Sequence, residues 1–108
     1  MSEVKTAVIG ETTYVLKLFP AMDGWDIRNK ILERARMGQS PDAQLMCEII
    51  VKGAGIGSTS FDEKKINKHF AGKLGDMDAL VQEICVYNFP EFSEALEGPN
   101  VESGSTED

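Results

Sequence analysis

The sequence contains no apolar stretch that approaches the roughly 20 residues of a membrane-spanning helix. The N-terminal segment MSEVKTAV also lacks the apolar run of a secretory leader, because Glu3 and Lys5 interrupt it. We therefore expect a chain that neither spans a membrane nor leaves the reducing cytosol in which it is made. Its 108 residues, of which 42% are hydrophobic, are typical of one soluble globular domain.

Histidine is almost absent. His69 is the only one, and no carboxylate or thiol adjoins it, so one chain cannot form a multi-histidine metal site or a His-based acid/base pair. The serines occur without the G-x-S-x-G turn of an activated nucleophile. We therefore assign no catalytic, metal-binding or cofactor-binding residue, and we expect a protein that is not an enzyme.

Cysteine is also scarce, and neither cysteine belongs to a C-x-x-C pair. Cys47 and Cys85 are each flanked by apolar residues. An unpaired cysteine in such surroundings packs like a small hydrophobic residue. We predict that both are buried free thiols in a reducing compartment.

Basic residues are missing from the C-terminal end. From Glu91 onward the chain has six acidic residues and no Lys or Arg, which leaves a net charge of only −1 on the first ninety residues. Such a body has neither the basic stripe of a nucleic-acid-binding protein nor the continuous negative surface of a nucleic-acid mimic. We therefore expect no nucleic-acid partner.

Residues 98–108, GPNVESGSTED, have Val101 as their single apolar anchor. They cannot bury enough apolar surface to offset the entropy lost on ordering. We predict one globular domain over residues 1–97 and a disordered acidic tail over residues 98–108. Solubility is the expected role of this tail, and a specific docking motif is the alternative.

The N-terminal residues have the pattern of a β-hairpin. Thr6 to Ile9 and Thr12 to Phe19 are rich in β-branched and aromatic residues, and Gly10 with the residue after it can form a tight turn. Alternation places Tyr14, Leu16 and Leu18 on one face. Because two strands alone are marginally stable, the hairpin must pack on helices or pair with a strand of another chain.

Two helices are predicted next. The first begins with Asp23 as its cap, presents an apolar stripe and ends at Gly38. The second begins with Ser40 as its cap and Pro41 in the first helical position. The residues of the first stripe are Ile27, Ile31, Leu32 and Ala35.

Two further helices complete the predicted α+β fold. A capping box of Ser60 and Glu63 starts the third, and Gly72 and Gly75 separate it from the fourth. The fourth covers about residues 76–87, and a short helical turn follows over residues 91–96. The fold class is thus α+β, with a short N-terminal β-hairpin, a bundle of about four helices and a disordered acidic C-terminal tail.

The segment Ala43–Lys52 is apolar around an unusual share of its circumference. Its polar side chains are spaced by four residues, so a helix here has only a narrow polar stripe. We predict a central core helix, with a subunit or partner interface as the alternative. A strand beginning near Glu48 also remains open, because residues 49–51 are β-branched.

Glycine recurs in the segment after this helix, GAGIGS at residues 53–58. The segment lacks the G-K-[ST] end of a P-loop and the spacing of a dinucleotide fingerprint. We predict a flexible loop that binds no nucleotide.

Three segments, taken in order, resemble a known family. FPAMDG at residues 19–24 follows the hairpin, HFAGKL covers residues 69–74, and VYNFPEFSEAL covers residues 86–96. This succession is similar to that of the small tail assembly chaperones of long-tailed bacteriophages and prophages, and it extends over about residues 4–96. The positions that the resemblance identifies as markers of the family fold are Phe70, Gly72, Asn88 and Phe89.

The resemblance implies a non-enzymatic factor of virion morphogenesis that acts in the host bacterial cytoplasm without a cofactor. Proteins of this family keep the long, mostly helical tape measure protein soluble while tail tube subunits polymerise around it, and they leave before the virion is complete. The implied partners are the tape measure protein and, second to it, the tail tube protein, with self-association also open. In many members a ribosomal frameshift adds a C-terminal extension to a fraction of the copies.

A protein that holds varied helical partners needs adaptable apolar contacts, which methionine provides. The candidates for partner binding are Trp25, Met37, Met46, Ile49 and Met77, and core packing is the alternative for each. Two other functions compete with the chaperone. One is a structural tail or head-completion protein that stays in the virion and joins its neighbours by strand addition. The other is a small phage-encoded inhibitor of a host protein.

Overall fold

A computed structural model describes residues 5–91 and confirms an α+β fold in which a β-hairpin precedes four helices. The strands are β1 (Lys5–Ile9), β2 (Thr12–Leu16), β3 (Ala54–Ile56) and β4 (Thr59–Ser60). The helices are α1 (Ala21–Arg36), α2 (Ala43–Gly53), α3 (Glu63–His69) and α4 (Leu74–Asn88). The tail predicted over residues 98–108 lies outside the described residues, as does nearly all of the turn predicted over residues 91–96. Within the described range, no helix has both the length and the apolar character needed to cross a membrane.

The four strands form one antiparallel sheet in the order β1-β2-β3-β4. Gly10 makes the predicted turn between β1 and β2 with a φ of 62°, in the left-handed region that favours glycine. Tyr14 and Leu16 are buried, because alternate residues of a strand share one face and this face lies on the core. The second strand ends at Leu16 and not at Phe19, since its partner β3 begins opposite Leu16, at Ala54.

The glycine-rich segment after α2 forms a second hairpin, so the predicted flexible loop is wrong. Strand β3 pairs with both β2 and β4, and Gly57 makes the turn with a φ of 59°. A Cβ atom on Gly55 would lie 2.6 Å from the carbonyl oxygen of Thr59, so this close approach requires glycine. The alternative of a strand beginning near Glu48 is also wrong, because α2 continues to Gly53.

Aspartates cap α2 and α3, two residues after the serines that were predicted to do so. The Asp42 and Asp62 side chains each accept a hydrogen bond from the backbone N–H three residues on, at 2.9 and 2.8 Å. Ser40 precedes α2, and Ser60 belongs to β4. Serine and aspartate are comparable caps, so the sequence alone does not separate them.

The ends of α1 follow the prediction only in part. The helix begins directly after Pro20 without a side-chain cap, and Asp23 lies in its first turn, where negative charge is favourable. At the other end Gly38 adopts a φ of 71° and its N–H donates to the carbonyl oxygen of Ala35, as expected for a helix stop. Gly75, predicted to lie between the third and fourth helices, lies inside α4.

The hydrophobic core lies between the sheet and helices α2, α3 and α4. The largest fully buried side chains are Tyr14, Ile27, Ile49, Ile50, Phe70, Leu80 and Ile84. Burying a side chain of this size contributes about 1.5–3 kcal/mol. Helix α1 adds only Ile27 to this set, and Leu32 from its predicted stripe is exposed. The sheet and three helices therefore provide most of the core.

Three of the family-marker positions have clear structural roles. Phe70 is buried, with its ring stacked on that of Tyr14 at a centroid distance of 6.1 Å. Gly72 lies between α3 and α4 with a φ of 76°, which favours glycine. Phe89 is buried with its ring 5.7 Å from that of Phe19.

The fourth marker, Asn88, joins the end of α4 to the segment that follows β2. Its Oδ1 accepts a hydrogen bond of 2.7 Å from the backbone N–H of Phe19. Its Nδ2 donates to the carbonyl oxygens of Lys17 and Ile84, each at 3.1 Å. One amide side chain thus satisfies three backbone groups from two parts of the chain.

The two cysteines are free, as predicted, but they differ in burial. Cys85 is buried, and burial raises its pKa to about 11. Cys47 is only half-buried, so its predicted full burial is wrong. Burial, followed by the nearby carboxylates of Glu63, Asp62 and Glu48, raises the pKa of the Cys47 thiol.

Candidate functional site

The apolar residues of α2 fall into two sets. One set is buried in the core and consists of Leu45, Ile49 and Ile50. The other set is half-buried at the edge of the core and consists of Met46, Cys47 and Val51. The sequence left two roles open for this helix, core packing and contact with a partner. The buried set can fill the first role, and the half-buried set is placed for the second.

The half-buried residues of α2 lie in an open depression of about 890 Å³ between α2, α3 and α4. Ile66 of α3 and Met77 of α4 complete its apolar floor. We call this depression the methionine groove. Its floor residues are Met46, Cys47, Val51, Ile66 and Met77.

Charged residues of opposite sign are paired along the rim of the methionine groove. The Nζ atom of Lys30 lies 3.0 Å from Oδ2 of Asp26 and 3.4 Å from Oε1 of Glu48. On the same side, Nζ of Lys52 lies 3.4 Å from Oδ2 of Asp23. Such exposed pairs contribute little to stability. Both lysines are paired with carboxylates and Glu63 also lines the groove, so the described rim has a net negative charge around an apolar floor.

An apolar floor with a polar rim suits one face of an amphipathic helix. Flexible, polarisable methionine side chains adjust to partners of different shape. Met46 also lines a second depression of about 530 Å³, together with Val81 and Cys85. The two depressions share Met46, so this side chain is accessible from both.

The structure brings together two of the five residues predicted to bind a partner. Met46 and Met77 both line the methionine groove. Ile49 has no exposed surface, because it is a core residue, and it does not belong to any surface of the described fold. Trp25 on α1 and Met37, the residue directly after α1, are exposed outside the groove.

Trp25 lines a separate depression together with Leu18, which is 64% exposed. Met22, which is 76% exposed, lies about one helical turn before Trp25. Leu18 is exposed because β2 ends at Leu16, so the predicted alternation of the strand does not reach it. Met37 lies twelve residues after Trp25, just beyond the C-terminal end of α1, a separation of about 18 Å at the rise of an α-helix. These exposed residues therefore do not form one surface with the methionine groove.

Sequence reasoning missed Cys47, Val51 and Ile66 as groove residues. The sequence pattern predicts Cys47 as a packing residue and includes Val51 only in a β-branched run. The available signal was the narrow polar stripe of α2, which leaves more apolar circumference than one core contact can cover.

His69, for which the sequence offered no partner, lies beside Tyr14. The phenol oxygen and Nε2 are 2.8 Å apart. Burial lowers the pKa of His69, the positive charge of Lys73 lowers it further, and the Asp76 carboxylate acts in the opposite direction. The imidazole is therefore neutral near pH 7 and pairs with a buried phenol.

Within residues 5–91, no three His, Cys, Asp or Glu side chains lie close enough together to hold a metal ion. Comparison of this chain with family models, curated proteins and solved structures found no match.

Proposed function

We propose that this protein is a tail assembly chaperone of a long-tailed bacteriophage or prophage, and that it keeps a tape measure protein soluble by binding helical segments in the methionine groove. The observation that carries the proposal is this open apolar groove, with two methionines on its floor and charge-paired residues on its rim. The sequence resemblance at residues 19–24, 69–74 and 86–96 supplies the class of partner.

A helix seated in the groove would place residues at i, i+3 or i+4, and i+7 on the floor. Each 100 Å² of apolar surface removed from water would contribute about 2.5 kcal/mol, before the entropy of association is subtracted. The groove is open to solvent on one side, so a bound helix can leave it again. A chaperone that leaves before the virion is complete needs such reversibility.

In this proposal the protein acts in the host bacterial cytoplasm and performs no covalent chemistry. The tail tube protein is a second proposed partner, since it polymerises on the tape measure protein while the chaperone is bound. Neither nucleic acid nor a membrane takes part.

Co-expression with the cognate tape measure protein tests the proposal directly. The unsubstituted chain should keep the tape measure protein in the soluble fraction and co-purify with it. Met46→Asp and Met77→Asp each place an unpaired charge on the groove floor and should send most of the tape measure protein to the insoluble fraction. Met22→Asp is the matched control, because Met22 is exposed on α1 outside the groove.

Circular dichroism must accompany each variant, since only variants that keep their helicity report on the groove. Folded Met46→Asp and Met77→Asp proteins that protect the tape measure protein as well as Met22→Asp does would contradict the assignment of the groove. A tape measure protein that is equally soluble with and without the chain, and never co-purifies, would contradict the chaperone function itself.

One observation favours the structural tail protein as a second candidate. Strand β1 lies at the outer edge of the sheet, and Val8 on it is 71% exposed. An outer strand can pair with a strand of a neighbouring subunit. The composition of purified virions separates the two functions, because a structural subunit remains in the particle and a chaperone is absent from it.

A further inference from the structure

A further groove, of about 340 Å³, lies beside β4 and α3 and is separate from both depressions that Met46 lines. It differs in charge from the methionine groove. Its apolar surface includes Ile56 and Phe61, and its charged side chains are Lys65 and Lys68, with His69 beside them. No carboxylate from residues 5–91 lines it. We call this depression the lysine groove.

Contacts with Ser60 hold two ammonium groups at the edge of the lysine groove. Nζ of Lys17 donates to Oγ of Ser60 at 3.0 Å, and Nζ of Lys65 donates to the carbonyl oxygen of Ser60 at 3.3 Å. These acceptors are uncharged, so neither hydrogen bond neutralises the ammonium group. Both side chains can therefore attract an anionic group in the groove.

The sequence contains a segment with the complementary composition. The 17 residues after Glu91 include five acidic residues and no Lys or Arg. Val101 provides an apolar side chain next to the carboxylate of Glu102. This combination of an apolar residue with flanking carboxylates matches an apolar groove bordered by ammonium groups.

We infer that the lysine groove binds the acidic C-terminal segment, residues 92–108, of the same chain. Reach allows it, because 17 residues span up to about 55–60 Å when extended and the longest dimension of the molecule is 42 Å. A tether of this length also gives an effective concentration in the range of about 1 mM, so that even a weak contact is populated without a second molecule. The contact occupies α3 and β4 and does not involve the methionine groove.

Paramagnetic relaxation in the full-length chain tests this contact. A spin label on Ser105→Cys, in a Cys47→Ser background, reports where the segment spends its time, and Cys85 stays unlabelled because it is buried. At about 0.01 M salt, where the Debye length is about 30 Å, the amide signals of residues 59–69 should lose intensity more than the signals of any other surface. At about 1 M salt, where the Debye length is about 3 Å, they should recover.

Charge reversal supplies the matched variants. Lys65→Glu with Lys68→Glu should abolish the selective loss at residues 59–69. Lys5→Glu with Arg36→Glu changes the net charge equally at positions outside the lysine groove and should preserve it. Well-dispersed amide signals establish that each charge-reversal variant is folded. If a variant is unfolded, the salt series on the chain without charge reversal still tests the contact.

Three results would overturn the inference. The first is signal loss at residues 59–69 that is no greater at low salt than elsewhere. The second is selective loss that survives the reversal of both lysines. The third comes from a mixture of spin-labelled chains without ¹⁵N and ¹⁵N-labelled chains without a spin label, because loss of the same signals there would mean that the segment binds a second copy.

Discussion

The phenol oxygen of Tyr14 lies 2.8 Å from Nε2 of His69, and the two rings meet edge to face at an interplanar angle of 89°. This contact joins the central strand β2 to the last residue of α3, 55 positions further along the chain. Tyr14 is buried and stacks on Phe70, so the only histidine of the chain is held against the aromatic part of the core.

The pH dependence of stability should report this contact. Because burial lowers the pKa of His69 in the folded state below its ordinary value of 6.5, the unfolded chain binds a proton more readily. Stability should therefore be complete above about pH 7 and decline as the pH falls through about 6.5 towards the folded-state pKa. Thermal unfolding between about pH 7.5 and 5.5 measures this, with carboxylates still ionised over most of that range.

His69→Gln should flatten the same profile, since glutamine does not titrate. An unchanged slope in the variant would mean that another group causes the decline.

Removing the Asn88 side chain should destabilise the fold. Asn88→Ala leaves three backbone groups without their partner, and each unpaired, partly buried group costs about 1–3 kcal/mol. At about 1 kcal/mol for each of the three groups, the midpoint of thermal unfolding should fall by roughly 12–24 °C, since 1 kcal/mol corresponds to about 4–8 °C in a domain of this size. Gln82→Ala, at an exposed position of α4, is the control and should change the midpoint little.

Two glycine-to-alanine substitutions should have opposite signs. A Cβ atom on Gly53 would overlap Ile84 and lie 2.9 Å from Cε1 of Phe19, so Gly53→Ala should destabilise by about 1–3 kcal/mol. No atom lies within 4 Å of the Cβ position on Gly75, which is in α4 and has no positive φ. Gly75→Ala should therefore stabilise by up to about 1 kcal/mol. Denaturant unfolding measures both, and equal effects would show that packing at Gly53 is looser than described.

The two thiols should react at very different rates. With a polar disulfide reagent at about pH 8, Cys47 should be modified in the native protein, whereas Cys85 should react only after denaturant is added. The Cys47→Ser variant should not be modified in its native state, which identifies Cys47 as the thiol that reacts. If Cys85 reacts as fast as Cys47 without denaturant, the packing of α4 differs from the described one.

The same reaction also reports on the methionine groove, because Cys47 is part of its floor. A tape measure segment bound in the groove should slow modification of Cys47 without affecting Cys85. Unchanged modification in a stable complex would place the partner on another surface.

The local sequence patterns predicted most of the secondary structure. Alternating β-branched residues identified the first hairpin, and the spacing of apolar residues identified all four helices. The second hairpin could not be recognised, because β3 and β4 are short and contain glycines that only tertiary contacts explain. Gly55 is required by the nearby carbonyl of Thr59, which no local pattern encodes.

The candidate site was predictable only in outline. The narrow polar stripe of α2 indicated excess apolar surface, but it did not distinguish buried Ile49 from half-buried Met46. That distinction depends on where α3 and α4 pack, which is set by contacts between residues far apart in the chain. For the same reason the Tyr14–His69 contact had no signal in the sequence.

The sparse packing of α1 has a consequence for local unfolding. Only Gly24 and Ile27 of its sixteen residues are buried, and exposed ion pairs such as Arg34–Asp42, at 3.5 Å, form much of its link to α2. Such pairs weaken as salt is added, whereas the buried stripe of α4 is insensitive to it. The amide protons of α1 should therefore exchange with solvent well before those of α4, and faster at high ionic strength. Detachment of α1 would remove Ile27 from the core and uncover the side of α2 that carries Glu48, widening the apolar surface without unfolding the sheet.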